Sequence, residues 1–218
     1  DGSTYDITIS GIDLAGNTDV ETITGLTYDI TSPILTVSEP LSNNFVNSTS
    51  LIYSVNEKLI DGGTIIVSEN GKDVQPFVLS TNVAEHTENM SMNDGSTYTI
   101  TLSGVDLAGN EKIEVVSSVT YDITPPEFTV TEPLSNSFVN STSLIYSVNE
   151  ILSGGTIFVS ENGGVVQPFV LSTNVGEHTE TMSMNDGSTY TITLSGFDLA
   201  GNTGTEIISG VTYDTTPP

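Results

Sequence analysis

The stretch DGSTYTITLSGVDLAGN at 94–110 decides the fold. Within it Tyr98, Ile100 and Leu102 alternate with Thr97, Thr99, Thr101 and Ser103. A period of two puts the apolar side chains on one face of a strand and the hydroxyls on the other, so the strand is half buried. Asp94-Gly95 before it and Gly109-Asn110 after it are turn formers. The same stretch stands at 1–17 as DGSTYDITISGIDLAGN and at 186–202 as DGSTYTITLSGFDLAGN.

Other segments keep the same spacing. Tyr28, Tyr121 and Tyr213 open YDITSP, YDITPP and YDTTPP. LIYSVNE at 51–57 returns at 144–150, and EPLSN at 39–43 returns at 132–136. A period near 92 residues, from 94 to 186 for the opening stretch, is too long for a solenoid unit and suits a complete small domain. The expected organisation is a closing hairpin of a truncated repeat at 1–33 and two full repeats at 34–126 and 127–218. It reads as a window on a longer string of domains. No initiator Met, signal peptide or membrane-spanning apolar run is present.

Composition excludes several classes. There is no cysteine, so disulfides do not staple the fold. Twenty-eight acidic residues face three lysines, Lys58, Lys72 and Lys112, with no arginine, for a net charge of −25. Nucleic acid needs a basic face, and anionic membranes repel such a chain. The acidity serves solubility, or part of it faces a cation. None of the lysines recurs in the other repeat: Lys72 faces Gly164 and Lys112 faces Gly204.

Each full repeat is expected to be all-β. Thr, Ser, Val, Ile and Tyr dominate, and turn signals come every 8–14 residues. In the first full repeat the expected strands are 34–38, 50–55, 64–69, 74–80, 86–92, 97–104 and 112–121. Glu69-Asn70-Gly71 is a tight hairpin turn between the third and fourth. Seven short strands in such a repeat predict tandem immunoglobulin-like β-sandwiches in a linear array. Tyr98 and Tyr190 read either as tyrosine corners, bonding back to backbone near the turn before them, or as ordinary core tyrosines.

Y-D-x-T-P-P at the junctions, D-G-x-x-Y into a strand and D-L-A-G-N after it resemble the bacterial immunoglobulin-like domains of giant surface adhesins. The resemblance covers both full repeats and the leading fragment. It implies an extracellular, cell-surface stalk without enzymatic activity. It also implies Ca²⁺ at or near domain junctions.

Topology supports the cation separately. In a seven-stranded sandwich the loop after the second strand and the loop before the seventh return to the entry pole. The entering segment carries Asp29, the first loop Glu57, and the D-L-A-G-N loop Asp106 and Asn110. The second repeat offers Asp122, Glu150, Asp198 and Asn202. Asp13, Asn17 and Asp214 form weaker, incomplete sets. Bare carboxylates ~5 Å apart repel by a few kcal/mol at an effective dielectric of ~20, so they converge around a cation or not at all. Oxygen donors without cysteine suit a hard cation such as Ca²⁺. No EF-hand run is present. The competing reading gives the same residues to turn backbone alone. Asp61 is a poorer candidate, since Ser153 replaces it.

Other chemistry is sparse. His86 and His178, in AEHTE and GEHTE, read as surface strand residues. No nucleophile elbow, phosphate loop or zinc spacing occurs. Asn47, Asn89 and Asn140 lie in sequons. The expected partners are adjacent repeats of the same chain, with lateral or strand-donating neighbours in a fibre. No nucleic acid and no membrane insertion are expected. Alternatives are a module binding a glycan or protein receptor, or an accessory domain of a secreted enzyme. The short proline-bearing linkers predict a rod rising roughly 35–45 Å per domain, from ~3.3 Å per strand residue.

Overall fold

A computed structural model describes residues 1–218, and every regular element in it is a strand. The hairpin of β1 (Ser3–Ile12) and β2 (Thr18–Tyr28) comes first, as a two-stranded sheet. The first full repeat holds β3 (Leu35–Glu39), β4 (Phe45–Val46), β5 (Ser50–Val55), β6 (Thr64–Glu69), β7 (Lys72–Val78), β8 (Ala84–Asn89), β9 (Thr97–Val105) and β10 (Glu111–Tyr121). The second holds β11 (Phe128–Glu132), β12 (Phe138–Val139), β13 (Ser143–Val148), β14 (Leu152–Glu161), β15 (Gly164–Val170), β16 (Gly176–Thr181), β17 (Thr189–Asp198) and β18 (Thr203–Tyr213).

Each full repeat builds two sheets, ordered β3-β5-β8 and β4-β10-β9-β6-β7 in the first, β11-β13-β16 and β12-β18-β17-β14-β15 in the second. This is the all-β, tandem immunoglobulin-like sandwich. It has one more strand per repeat than the sequence pattern gives. The entering segment pairs antiparallel with β5, then turns through Pro40–Asn43 and lies parallel to β10, with Thr120 opposite Phe45 and Tyr121 opposite Val46. Two residues are too few to show a period, so this strand has no sequence signature.

Alternation places the core as expected. In the second repeat Tyr190, Ile192 and Leu194 of β17 join Leu144, Tyr146 and Val148 of β13 in one buried cluster. Each such side chain contributes about 1.5–3 kcal/mol on burial. The opposite face of β17 carries hydroxyls, and Thr189 meets Thr212 across the strands at 3.1 Å. The β6–β7 turn has Asn70 and Gly71 at φ 50° and 80°, the geometry a two-residue hairpin needs.

A one-residue difference separates the repeats near the entry pole. Lys58-Leu59-Ile60-Asp61 stands against Ile151-Leu152-Ser153. The longer version leaves Leu59 as an isolated bridge to Asp106, whereas the shorter lets β14 run on from Leu152 opposite Asp198. Both leucines are buried and close the core there.

The chain condenses into two compact units, Asp1–Ser42 with Ser50–Ser91 and Tyr98–Ser117, and Asn43–Thr49 with Met92–Thr97 and Ser118–Pro218. Each linker therefore lies inside a unit, together with the loops of the repeat that follows it.

Candidate metal centre

The D-L-A-G-N loop folds by its own hydrogen bonds. In the first full repeat Asp106 Oδ1 accepts from the amides of Ala108 (2.8 Å) and Asn110 (2.9 Å), and Oδ2 accepts from Asn110 Nδ2 (2.8 Å). Asp198 accepts from the Asn202 amide at 2.8 Å and from Asn202 Nδ2 at 2.7 Å. Asp106 and Asp198 are the only charged side chains among the fully buried residues, each 1 % exposed. A buried carboxylate is costly unless donors surround it. Burial alone would raise the Asp106 pKa. The Asn110, Ala108 and Gly109 donors outweigh burial and hold the carboxyl below its ordinary value.

Two further carboxylates reach each buried aspartate. Oxygens of Asp29, Glu57 and Asp106 lie within 4.8 Å of one another, and so do those of Asp122, Glu150 and Asp198. Asp29 and Glu57 also line a cleft of about 430 Å³ together with Lys58. Burial and the facing charges of Asp106 and Asp29 push the Glu57 carboxyl up. Burial, Asp122 and Asp198 do the same to Glu150. In each cluster the facing charges therefore add to burial in disfavouring the ionised glutamate, and a cation there would offset them.

The linker is fixed against this pole. Asn110 Nδ2 donates to the carbonyl of Asp29 at 3.2 Å, and Asn202 Nδ2 to that of Asp122 at 2.9 Å. Asn110 and Asn202 thus spend their amide nitrogens on orienting the aspartate and the linker. Asn47 Nδ2 donates to Asn202 Oδ1 at 3.3 Å, so one sequon asparagine sits against the second site. The amides of Ile34 and Glu127, at the far ends of the linkers, donate to Asn56 Oδ1 (2.7 Å) and Asn149 Oδ1 (2.8 Å).

The weaker sets stay apart. Asp13 and Asn17 form the same loop at the tip of the β1–β2 hairpin, fully exposed, with Asn17 Nδ2 donating at 2.7 Å. It belongs to no group of three carboxylates. Asp214 is exposed and accepts from the Thr216 amide at 2.9 Å. The loop is therefore a local structure, and the convergence of three carboxylates is the tertiary event.

Sequence reasoning missed three groups. Asp1, Asp94 and Asp186, the first residue of each D-G-S-T-Y, grip the linker after their own repeat. His86 stacks at 5.3 Å on Tyr53, and its Nε2 lies 3.0 Å from the Asn82 carbonyl; His178 does likewise with Tyr146 and Asn174. They pin the loop before β8 and β16. The third group is the tyrosines facing those histidines: Tyr53 and Tyr146 accept from the amides of Ser80 and Ser172. Tyr190 makes the corner contact, accepting from the Asn185 amide at 2.6 Å.

The fold and its poles define a class, the tandem immunoglobulin-like sandwich with an acidic cluster at each repeat entry. No family model matches the chain, and no curated protein matches it. Among solved structures it is similar to the fibronectin(III)-like modules of CbhA from Clostridium thermocellum, at 13 % identity over 83 % of this chain and 94 % of that one, TM-score 0.41. It is similar to a two-domain fibronectin type III segment of chicken tenascin, at 12 % identity over 82 % and 99 %, TM-score 0.38. It is also similar to a Ca²⁺-stabilized, ice-binding adhesin of an Antarctic bacterium, at 17 % identity over 98 % of this chain and 58 % of that one, TM-score 0.34.

Proposed function

We propose that this chain is a structural segment of an extracellular, surface-attached stalk or fibre, whose immunoglobulin-like repeats at 34–126 and 127–218 are stiffened at their entry poles by Ca²⁺. The observation that carries the reading is the double convergence. The same three segments bring Asp29, Glu57 and Asp106 together, and then Asp122, Glu150 and Asp198. All donors are oxygens, which suits a hard cation. The ion would tie a linker aspartate to two loops of the following repeat. Its charge would offset the repulsion that raises Glu57 and Glu150. The role is mechanical: the segment spaces a distant tip from the cell surface.

Thermal melting in excess Ca²⁺ and in chelator tests the metal. A cation at 100 times its dissociation constant adds about 2.7 kcal/mol. In domains of this size that raises Tm by roughly 10 °C or more. Coincident curves would leave the aspartates as turn formers only. Small-angle scattering tests the stiffening. The distance distribution should be longer and sharper with Ca²⁺ than without, and a distribution indifferent to the metal would remove the stalk reading.

A further inference from the structure

The aspartate that opens each D-G-S-T-Y motif lies outside both carboxylate clusters, yet it holds the residues next to them. Asp94 Oδ1 accepts from the Ile123 amide at 2.8 Å and Oδ2 from Thr124 Oγ1 at 2.5 Å. The amide of the same Thr124 donates to Asp122 Oδ1 at 3.0 Å. Thr124 is thus shared between Asp94, in one repeat, and Asp122, which faces the next. The Asp122 amide is also tied, donating to the Val46 carbonyl at 2.9 Å. The first linker repeats the arrangement: Asp1 holds the Ile30 amide and Thr31 Oγ1, and the Thr31 amide donates to Asp29 Oδ1 at 3.0 Å.

The third copy is the informative one. Asp186 accepts from the Thr215 amide at 2.6 Å and from the hydroxyls of Thr215 and Thr216 at 2.9 Å. The Thr216 amide donates to Asp214 Oδ1 at 2.9 Å. The same grip therefore recurs at all three linkers.

We propose that Asp94 is a positioning residue: through Thr124 it latches the linker so that Asp122 is aimed at the second repeat before any cation arrives, and Asp1 does the same for Asp29. The latch presets one ligand of the cluster from the preceding repeat, while Asn149 and Asn202 hold the linker from the following one. This rests on the cation reading above for its consequence, but the latch itself is a property of the metal-free chain. A latch of this kind acts by keeping the binding-competent arrangement populated.

The test uses the whole chain, with Ca²⁺ as the probe, in the unaltered form and as Asp94→Asn, Thr124→Val, Thr124→Ser and Asp186→Asn. Calorimetric titration should show the second cluster weakened about tenfold in Asp94→Asn and Thr124→Val, as when the competent arrangement falls to about one tenth. Thr124→Ser keeps the hydroxyl and should keep the affinity. Asp186→Asn removes an equivalent grip from a linker that supplies neither of the two clusters, so it should cost comparable thermal stability and leave both Ca²⁺ affinities unchanged. In the metal-free chain, hydrogen exchange of the Ile123 amide should be slow and become fast in Asp94→Asn. If Ca²⁺ does not bind the unaltered chain but Ile123 protection is lost in Asp94→Asn, the cation reading falls and the latch stands. If Asp94→Asn folds and binds Ca²⁺ at the second cluster with unaltered affinity, or if Ile123 is unprotected in the unaltered chain, the latch is overturned. A loss of affinity in Asp186→Asn equal to that in Asp94→Asn would reduce the effect to general destabilisation and overturn it as well.

Discussion

Single side chains set the properties of each pole. Asp198 is buried, its carboxylate accepts from the amide and Nδ2 of Asn202, and it faces Asp122 and Glu150. Asp198→Asn keeps the shape and removes the charge, so it should abolish most of the Ca²⁺-dependent rise in Tm of the second repeat. Asp106→Asn should do so in the first. The first cluster shares its cleft with Lys58, where the second repeat has Ile151. A cation beside a cation site costs roughly 0.5–1 kcal/mol at partly screened distances. Lys58→Ile should therefore tighten Ca²⁺ binding at the first cluster two- to fivefold, read by calorimetry at low salt; no change would place the ammonium out of range. Acid provides another test. The Thr124 hydroxyl and Ile123 amide hold the Asp94 carboxyl below its ordinary value, and the Thr215 amide with the Thr216 and Thr215 hydroxyls does the same to Asp186. A depressed carboxyl adds stability above its unfolded pKa, about 3.9, and loses it as pH falls through the lower folded value. Tm of the unaltered chain and of the Asp94→Asn/Asp186→Asn double variant should differ at neutral pH and converge below about pH 4. A gap independent of pH would contradict the assignment.

At the scale of elements, the closing strands carry a bulge and a close approach. Tyr190 pairs with Val211 and Ile192 with Ile208, so Ser209 and Gly210 together oppose Thr191. The bulge needs a left-handed residue. Gly25 and Gly210 supply it at φ 73° and 71°, but Ser118 occupies the place in the first full repeat at φ 57°. A side chain there costs roughly 1–2 kcal/mol, against a somewhat smaller entropic cost for glycine. Ser118→Gly should stabilise the first repeat by about 0.5–1 kcal/mol in denaturant titration. Gly210→Ser should lose more than that, because its Cβ would also meet Asn136 Oδ1 at 2.6 Å. Gly204 has a different reason to be glycine. A Cβ there would lie 2.0 Å from the Pro126 carbonyl oxygen, so the second linker rests directly on the start of β18. Gly204→Ala should cost about 1–3 kcal/mol by overpacking and also weaken Ca²⁺ binding at the second cluster. An alanine variant with unaltered Tm would show that the linker gives way freely.

For the whole molecule, the contrast between complete and incomplete sandwiches is informative. Tyr98, Ile100 and Leu102 are 1 %, 0 % and 0 % exposed, while the matching Tyr5, Ile7 and Ile9 of the β1–β2 hairpin are 51 %, 41 % and 64 % exposed. In the full repeats a three-stranded sheet faces these positions, whereas within residues 1–218 the β1–β2 hairpin stands as a two-stranded sheet. An isolated hairpin is marginal in water. A peptide of residues 1–33 should therefore show no stable, dispersed β-sheet spectrum by itself. Such a spectrum would mean that the hairpin needs no covering sheet.

Much of the fold was legible because it is written in local periods. Alternation in TYTITLS fixes a strand and its buried face, and recurrence of whole segments fixes the repeat. The convergence of acidic side chains at the entry pole was legible because loop polarity and the strand count bring three segments there. Other features depend on distance rather than on pattern. The two-residue β4 exists only because β10 offers an unpaired edge, and nothing in Phe45-Val46 announces it. Asp94 looks like an ordinary turn residue in sequence, and only the folded chain brings the linker 29 residues later onto its carboxylate. His86 looks solvated until Tyr53 stands opposite it. Sequence by itself determined which faces are apolar, where the chain turns and which residues carry charge, because those follow from side-chain chemistry and short-range sterics. Tertiary structure alone decided which distant polar groups meet, because a hydrogen bond or a shared carboxylate cluster is set by ångström-scale placement that no local period encodes.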